Sequence, residues 1–90
     1  MSVKVNINQD LQQYAAKQEV VEVGGSTVGQ CIADLVQQFP DLKPELFGKD
    51  GELLEYIEIY VNMESAYPEE MAKPVSDGDE ISIIQMIFGG

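Results

Sequence analysis

One stretch of the chain has the pattern of an amphipathic helix, and this pattern limits what the rest can fold into. Ser26 and Thr27 suit the N-cap position, and Pro40 ends the segment. Between them, apolar residues recur at the spacing of a single helical face: Val28, Ile32, Leu35, Val36 and Phe39. A helix with one apolar face has to bury it against another layer. We therefore expect the remaining apolar segments to form a sheet.

Segments with the pattern of β-strands flank this helix on both sides. Apolar and polar residues alternate at 3–7 and again at 57–61, as they do on half-buried strands, and Asn62 ends the second of these runs. A valine-rich segment at 19–23 and the β-branched run that begins at Ile81 also predict strands. In this arrangement the helix-facing residues are Ile57, Ile59, Val61, Ile81 and Ile83.

The segments that connect the strands and the helix have different patterns, and these predict different structures. Residues 9–18 are mostly polar, with a helical turn around Leu11 and Tyr14, and the strands that they join should pair antiparallel. Residues 41–47 should form a short helix. Two prolines within 63–76 predict irregular structure there.

The order of these elements predicts a two-layer α+β domain. One main helix packed on a mixed sheet of four to five strands is the β-grasp, or ubiquitin-like, arrangement. A chain of 90 residues suits a single domain, which we expect to span residues 1–90 and to end in a flexible glycine-glycine tail from about residue 85.

Charge and composition exclude several classes of function. The net charge is −11, and all five basic residues are lysines, so nucleic acid and anionic membranes would be repelled and a basic partner surface attracted. No stretch is long enough to span a membrane, and we find no signal peptide. A single cysteine fits a reducing compartment, and we expect a cytoplasmic protein.

Candidates for catalysis and metal binding are few. Cys31 lies at the edge of the apolar stripe of the helix, and the chain has no histidine to activate it, so a packed thiol is expected. The acidic residues at 69–70 and 77–80 lack the further oxygen ligands that a calcium loop needs. No metal site is predicted.

The sequence ends in Gly89-Gly90, which follows the apolar run directly. Glycine has no Cβ, so this backbone is thin enough to enter a narrow channel and to present a carboxylate to another protein. A frayed end is the alternative interpretation of the same two residues.

Alternation along the last two strands also predicts a face for a partner. When the buried residues point to the helix, Tyr56, Tyr60, Ile84 and Met86 point away from it. Exposed apolar clusters on small proteins often mark interaction sites. The alternative is that residues 63–76 fold over these side chains and cover them.

Three features together resemble one protein family. They are I-Y-V-N at 59–62, D-G-D-E-I-S-I at 77–83, and the final Gly89-Gly90. In this order, and over nearly the full chain, they resemble the ThiS/MoaD family of small β-grasp sulfur carriers. The stretch Y-I-E-I-Y-V-N at 56–62 is similar to the CysO-like subgroup of that family.

The resemblance implies a protein co-substrate rather than an enzyme. In this family, a ThiF/MoeB-like enzyme of the ubiquitin-activating type adenylates the C-terminal carboxylate, and a sulfur donor converts it to a thiocarboxylate. Gly90 would carry the sulfur, Gly89 would be the thin spacer, and Phe88 and Ile87 would belong to the inserted tail. The chain itself would bind no cofactor, because ATP and magnesium would be held by the activating partner.

The acceptor implied by the resemblance is a biosynthetic enzyme, such as the large subunit of a synthase, in molybdopterin, thiazole, cysteine or related pathways. Many members have a proline and small residues before the glycines, whereas this chain has Q-M-I-F at 85–88. Two alternatives stay open. The chain could be a ubiquitin-like modifier joined to lysines through Gly90, or a β-grasp interaction module with an inert tail.

Overall fold

The computed structural model of the protein describes residues 2–86; residues 1 and 87–90 lie outside that description. The strands are β1 (Val3–Ile7), β2 (Val20–Val23), β3 (Ile57–Val61), β4 (Glu64–Ser65) and β5 (Glu80–Gln85). The helices are α1 (Val28–Gln38) and the single turn α2 (Lys43–Leu46). Three 3₁₀ helices cover Gln9–Ala15, Pro40–Leu42 and Glu70–Ala72.

The strands form one five-stranded sheet in the order β2-β1-β5-β3-β4. The first two strands pair antiparallel, as expected. β5 lies at the centre, parallel to β1 and antiparallel to β3, which makes the sheet mixed. The last strand in the sequence therefore has a neighbour on both sides.

Helix α1 covers one face of this sheet and begins where the sequence predicts. The Thr27 hydroxyl accepts a hydrogen bond from the Gln30 amide at 3.1 Å, and the Gln30 side chain accepts one from the Ser26 amide at 2.8 Å. Both contacts satisfy backbone donors at the helix start, in the manner of a capping box. The predicted helix-facing residues of β3 and β5 are all buried. The α+β fold with one main helix on a mixed sheet is confirmed.

Two connections differ from the prediction. Residues 9–15 form a 3₁₀ helix that buries Leu11 and Ala15, so the helical turn is longer than expected. The segment 63–76 was predicted to be irregular, but it contains β4 and a 3₁₀ helix. β4 forms because Asn62 and Met63 both have positive φ, 51° and 71°, the arrangement of a type I′ hairpin turn. The usual Asn-Gly signal is absent, so the hairpin was not recognised.

Candidate functional site

The far end of β5 is held by one neighbour only. Hydrogen bonding to β1 extends to the Asn8 amide, which donates to the Ile83 carbonyl at 3.2 Å. Beyond that point β5 pairs with β3 alone, through Ile57 opposite Gln85, and the Met86 amide donates to the Tyr56 carbonyl at 2.7 Å. The flexible tail was expected from about residue 85. Gln85 and Met86 are both paired with β3, and the rest of the predicted tail lies outside the described residues.

The residues predicted to do the chemistry lie beyond this point. Gly90, Gly89, Phe88 and Ile87 fall outside the described residues, so their roles stay predictions. What the structure adds is their starting point, which is the end of the central strand rather than an edge strand.

The two sequence motifs of the resemblance meet at the other end of β5. The Asn62 side chain accepts a hydrogen bond from the Glu80 amide at 3.0 Å and donates one to the Asp79 carboxylate at 3.1 Å. The same carboxylate accepts from the Ser76 amide at 2.8 Å. We call Asn62, Ser76, Asp79 and Glu80 the β5 latch. It joins the end of β3 to the start of β5, and so helps to set the register in which the last strand runs to its end.

Hydrogen bonds within the β5 latch favour the ionised form of the Asp79 carboxyl. Hydrogen bonds from the Ser76 amide and then from the Asn62 side chain lower the pKa of the Asp79 carboxyl below its ordinary value, against a weaker opposing effect of desolvation. Asp77 accepts a further hydrogen bond from the Ser2 amide at 2.6 Å, which ties the start of the chain to the same turn. Residues 77–80 therefore act as a structural turn that leads into β5.

An apolar patch lies on the sheet face opposite α1. It consists of Tyr60, Met63 and Ile84, and we call it the outer patch. Tyr60 lies directly across from Ser82, and both line a shallow hollow with Met63 and Ile84. Met63 is 90% exposed, and Ile84 is 37% exposed; Met86, which follows β5, is also 37% exposed. Sequence reasoning missed Met63, although an apolar residue directly after Asn62 was the available signal.

Tyr56 does not belong to this patch. Its side chain is half-buried, packs against the hydrophobic core and lines a separate hollow formed by residues 48–56. The strand alternation does not extend to Tyr56, because β3 begins one residue later at Ile57. Partner binding by Tyr56, Tyr60, Ile84 and Met86 stays a prediction.

The other candidate groups are the Cys31 thiol and the acidic side chains. Cys31 is fully buried in the core, as the sequence suggested, and its pKa is raised by burial and then by the nearby Asp34 carboxylate. A raised pKa keeps the thiol protonated and unreactive. Within residues 2–86, no group of three or more acidic, cysteine or histidine side chains is placed to hold a metal ion.

Comparison with known proteins identifies the family. The ThiS family matches residues 5–90, which is nearly the whole chain and includes both terminal glycines. The chain belongs to the ThiS family. The sulfur carrier protein CysO of Mycobacterium tuberculosis is 30% identical over 93 residues, with the full length of both chains covered. The small archaeal modifier protein 1 of Haloferax volcanii is 35% identical over 83 residues, which cover 90% of this chain and 92% of the modifier.

Solved structures agree with this assignment. The crystal structure of SAMP1 from Haloferax volcanii superimposes with a TM-score of 0.89 at 30% identity, covering both chains completely. CysO in the BexX/CysO complex from Amycolatopsis orientalis gives 0.88 at 29% identity, covering 98% of this chain and 99% of that one. The ThiS/MoaD resemblance and the ubiquitin-like β-grasp fold are confirmed, and the family agrees with the sulfur-carrier interpretation. That CysO chain was crystallised in a complex with BexX. None of the helices in the described part of the chain is both long and apolar enough to cross a membrane.

Proposed function

We propose that this ThiS-family protein is a sulfur carrier whose Gly90 carboxylate is activated by a partner enzyme and converted to a thiocarboxylate. The observation that carries the proposal is the match of the ThiS family through residue 90, on a chain that is similar over its full length to a sulfur carrier protein. The hydrogen bond from the Met86 amide to the Tyr56 carbonyl supports it, because that bond fixes the residue directly before 87–90.

In this proposal, the activating enzyme catalyses the steps that are chemically difficult. A carboxylate is a poor electrophile, so a Gly90 oxygen first attacks the α-phosphorus of ATP, releasing pyrophosphate and forming an acyl-adenylate. A sulfur nucleophile then attacks the acyl carbon and expels AMP, which leaves sulfur in place of one carboxylate oxygen. In this proposal the partner is a ThiF/MoeB-like enzyme that holds ATP and magnesium. The chain itself is a cytoplasmic co-substrate that binds no cofactor, and an acceptor such as a synthase large subunit receives the sulfur.

The distance that the tail can bridge constrains how the partner docks. Whatever their conformation, four residues extend at most about 14 Å beyond Met86. The partner's active site therefore has to lie within that distance of the end of β5. In the proposal, the outer patch is the docking surface, because Ile84 belongs both to that patch and to β5, the last strand before the tail. An apolar surface on a chain of net charge −11 suits a partner with an apolar groove and a basic rim.

The test combines the chain with adenylating enzymes from its own host, ATP, magnesium and sulfide, followed by a thiocarboxylate-selective reagent. Labelling should require both ATP and the enzyme, and it should disappear when Gly90 is deleted. A variant with Ile84→Glu, on the outer patch, should be labelled more slowly than wild type. The matched control is Val20→Glu, because Val20 is a similarly exposed apolar residue on the edge strand β2. Equal labelling of the two variants would remove the outer patch from the proposal without affecting Gly90.

A second function is favoured by one observation, the 35% identity to small archaeal modifier protein 1. In that case an amine of a target protein, rather than a sulfur nucleophile, attacks the activated Gly90 carbonyl. Covalent adducts on lysines of other proteins, lost when Gly90 is deleted, would support the modifier. Full function in a chain lacking Gly90 would instead support the inert interaction module.

A further inference from the structure

Met63 is the most exposed large apolar side chain in residues 2–86, at 90%. It lies in the hairpin turn between β3 and β4 and has a positive φ of 71°. The backbone of such a turn favours glycine and disfavours a residue with a Cβ. A side chain that lies almost fully in solvent adds little packing in return. Neither the turn nor the core therefore accounts for a methionine at this position.

The surroundings of Met63 place its side chain at the outer patch. It lines the same shallow hollow as Tyr60 and Ile84. The turn that carries it is held by Asn62, whose amide donates to the Glu80 carbonyl at 2.8 Å and whose side chain accepts from the Glu80 amide at 3.0 Å. The long, unbranched thioether is thus fixed at its base and unconfined at its tip, which suits it to fill an apolar groove on a partner.

Exposure also distinguishes Met63 chemically from the other methionines of the described residues. Peroxides oxidise a thioether sulfur to the sulfoxide, and a sulfur in open solvent is reached first. Met86 is 37% exposed, and Met71 is half-buried against the hydrophobic core. Hydrogen peroxide should therefore react with Met63 before it reacts with either of these.

We propose that Met63 is a reversible oxidation site that controls docking at the outer patch, which rests on the proposed function, in which that patch binds the activating enzyme. A lone pair on the Met63 sulfur attacks one oxygen of hydrogen peroxide, the O–O bond breaks, and the other oxygen leaves as water. The new sulfoxide oxygen has to lose its hydration to enter an apolar groove, so docking weakens. A thiol-dependent reductase reverses the change, oxidising two thiols to a disulfide and releasing the oxygen as water.

The test treats the full chain with a small excess of hydrogen peroxide, which catalase removes before the adenylating enzyme is added. Peptide mass spectrometry should find the added oxygen at Met63 well before it appears at Met71 or Met86. The affinity for the enzyme, measured by calorimetry, and the rate of thiocarboxylate labelling below saturation should each fall roughly tenfold, as expected when one polar group is buried without a good partner. Methionine sulfoxide reductase with a dithiol should restore both.

Three variants, each compared with its own untreated sample, assign the effect to one sulfur. Met63→Leu keeps an apolar side chain and the Cys31 thiol but has no sulfur at 63, so peroxide should not change its affinity. Met86→Leu should remain as sensitive to peroxide as wild type. Met63→Gln places a polar amide where the sulfoxide would lie, and it should bind as weakly as the oxidised wild type without any peroxide. The midpoint of urea unfolding should be the same before and after oxidation, because the side chain lies in solvent.

The outcomes separate this proposal from the sulfur-carrier function. Equal peroxide sensitivity of Met63→Leu and wild type, earlier oxidation of Met71 or Met86, or a lowered unfolding midpoint would each overturn the role of Met63. Equal labelling of the oxidised and untreated chains would overturn it too and leave the sulfur-carrier function intact. An untreated chain that is bound but never labelled would contradict the sulfur carrier, while the loss of affinity on oxidation would still support Met63. A chain that the enzyme binds in neither form would remove the docking surface and this proposal together.

Discussion

Asn62 in the β5 latch gives the most quantitative prediction. Its side chain makes two hydrogen bonds to the start of β5, and its own φ of 51° is left-handed. Replacement by glycine removes the two bonds but suits the backbone. Replacement by alanine removes the bonds and also forces a Cβ into a conformation that alanine disfavours.

The magnitudes follow from these separate effects. Each exposed side-chain hydrogen bond contributes about 0.5–1 kcal/mol net. The left-handed conformation costs a residue with a Cβ roughly 1–2 kcal/mol, less for asparagine than for alanine. We therefore expect Asn62→Gly to lower the free energy of unfolding by about 1–2 kcal/mol and Asn62→Ala by about 2–3 kcal/mol. For a domain of this size, the alanine variant should lose roughly 10–20 °C in Tm.

The assay is equilibrium unfolding in urea, followed by circular dichroism, with the midpoint expected to fall at unchanged m. Asn62→Asp is an informative third variant, because it brings a carboxylate against that of Asp79 and should recover stability as salt is added. If the glycine and alanine variants both lie within about 0.5 kcal/mol of wild type, the side-chain bonds do not hold β5 and the latch is wrong.

Further predictions concern the turns, the core and pH. Met63→Gly should stabilise the protein by about 0.5–1 kcal/mol, because it relieves a positive φ in the type I′ turn, yet it should slow labelling by the adenylating enzyme through loss of the outer patch. Gly25→Ala should lower the free energy of unfolding in urea by roughly 2–5 kcal/mol. A Cβ at this position would lie 2.8 Å from the Gln30 Cβ, and Gly25 itself has a φ of 155°. In the control Gly51→Ala, the residue has a φ of 81° but the new Cβ would meet open space, so the free energy of unfolding should fall by only about 1 kcal/mol. The lowered pKa of Asp79 means that its ionised form stabilises the fold. The difference in free energy of unfolding between wild type and Asp79→Asn should therefore be largest near neutral pH and should vanish as the pH falls through that pKa. Cys31, buried and with a raised pKa, should react with a thiol reagent only at the rate of unfolding.

The regular parts of the fold could be predicted because their patterns are strong. The helical spacing from Val28 to Phe39 and the alternation through Ile57, Ile59 and Val61 each identify a buried face, and the structure buries those faces as expected. Local signals were sufficient here because each element has one apolar side that has to meet the same core.

What could not be predicted depends on contacts between distant segments. β4 is only two residues long, and both of its side chains are polar and exposed, so it has no pattern of its own. The chain turns away from β3 after Ala66 because the Ala66 carbonyl accepts from the Glu70 amide, a contact that no local spacing reveals. Tyr56 has the same sequence parity as Tyr60 but lies before β3 begins, where alternation no longer fixes its direction.

The central claim is that sulfur is carried on Gly90, and the most direct measurement is the mass of the C-terminal fragment. Oxidation of any of the four methionines adds nearly the same nominal mass as exchanging oxygen for sulfur. Cleavage with cyanogen bromide after Met86, following treatment with the thiocarboxylate reagent, releases residues 87–90 free of methionine. After incubation with a cognate adenylating enzyme, ATP, magnesium and sulfide, this fragment should carry the label at Gly90, and omitting the enzyme should leave it unlabelled. An unlabelled fragment from a reaction in which the enzyme demonstrably forms AMP from ATP would contradict the sulfur-carrier function.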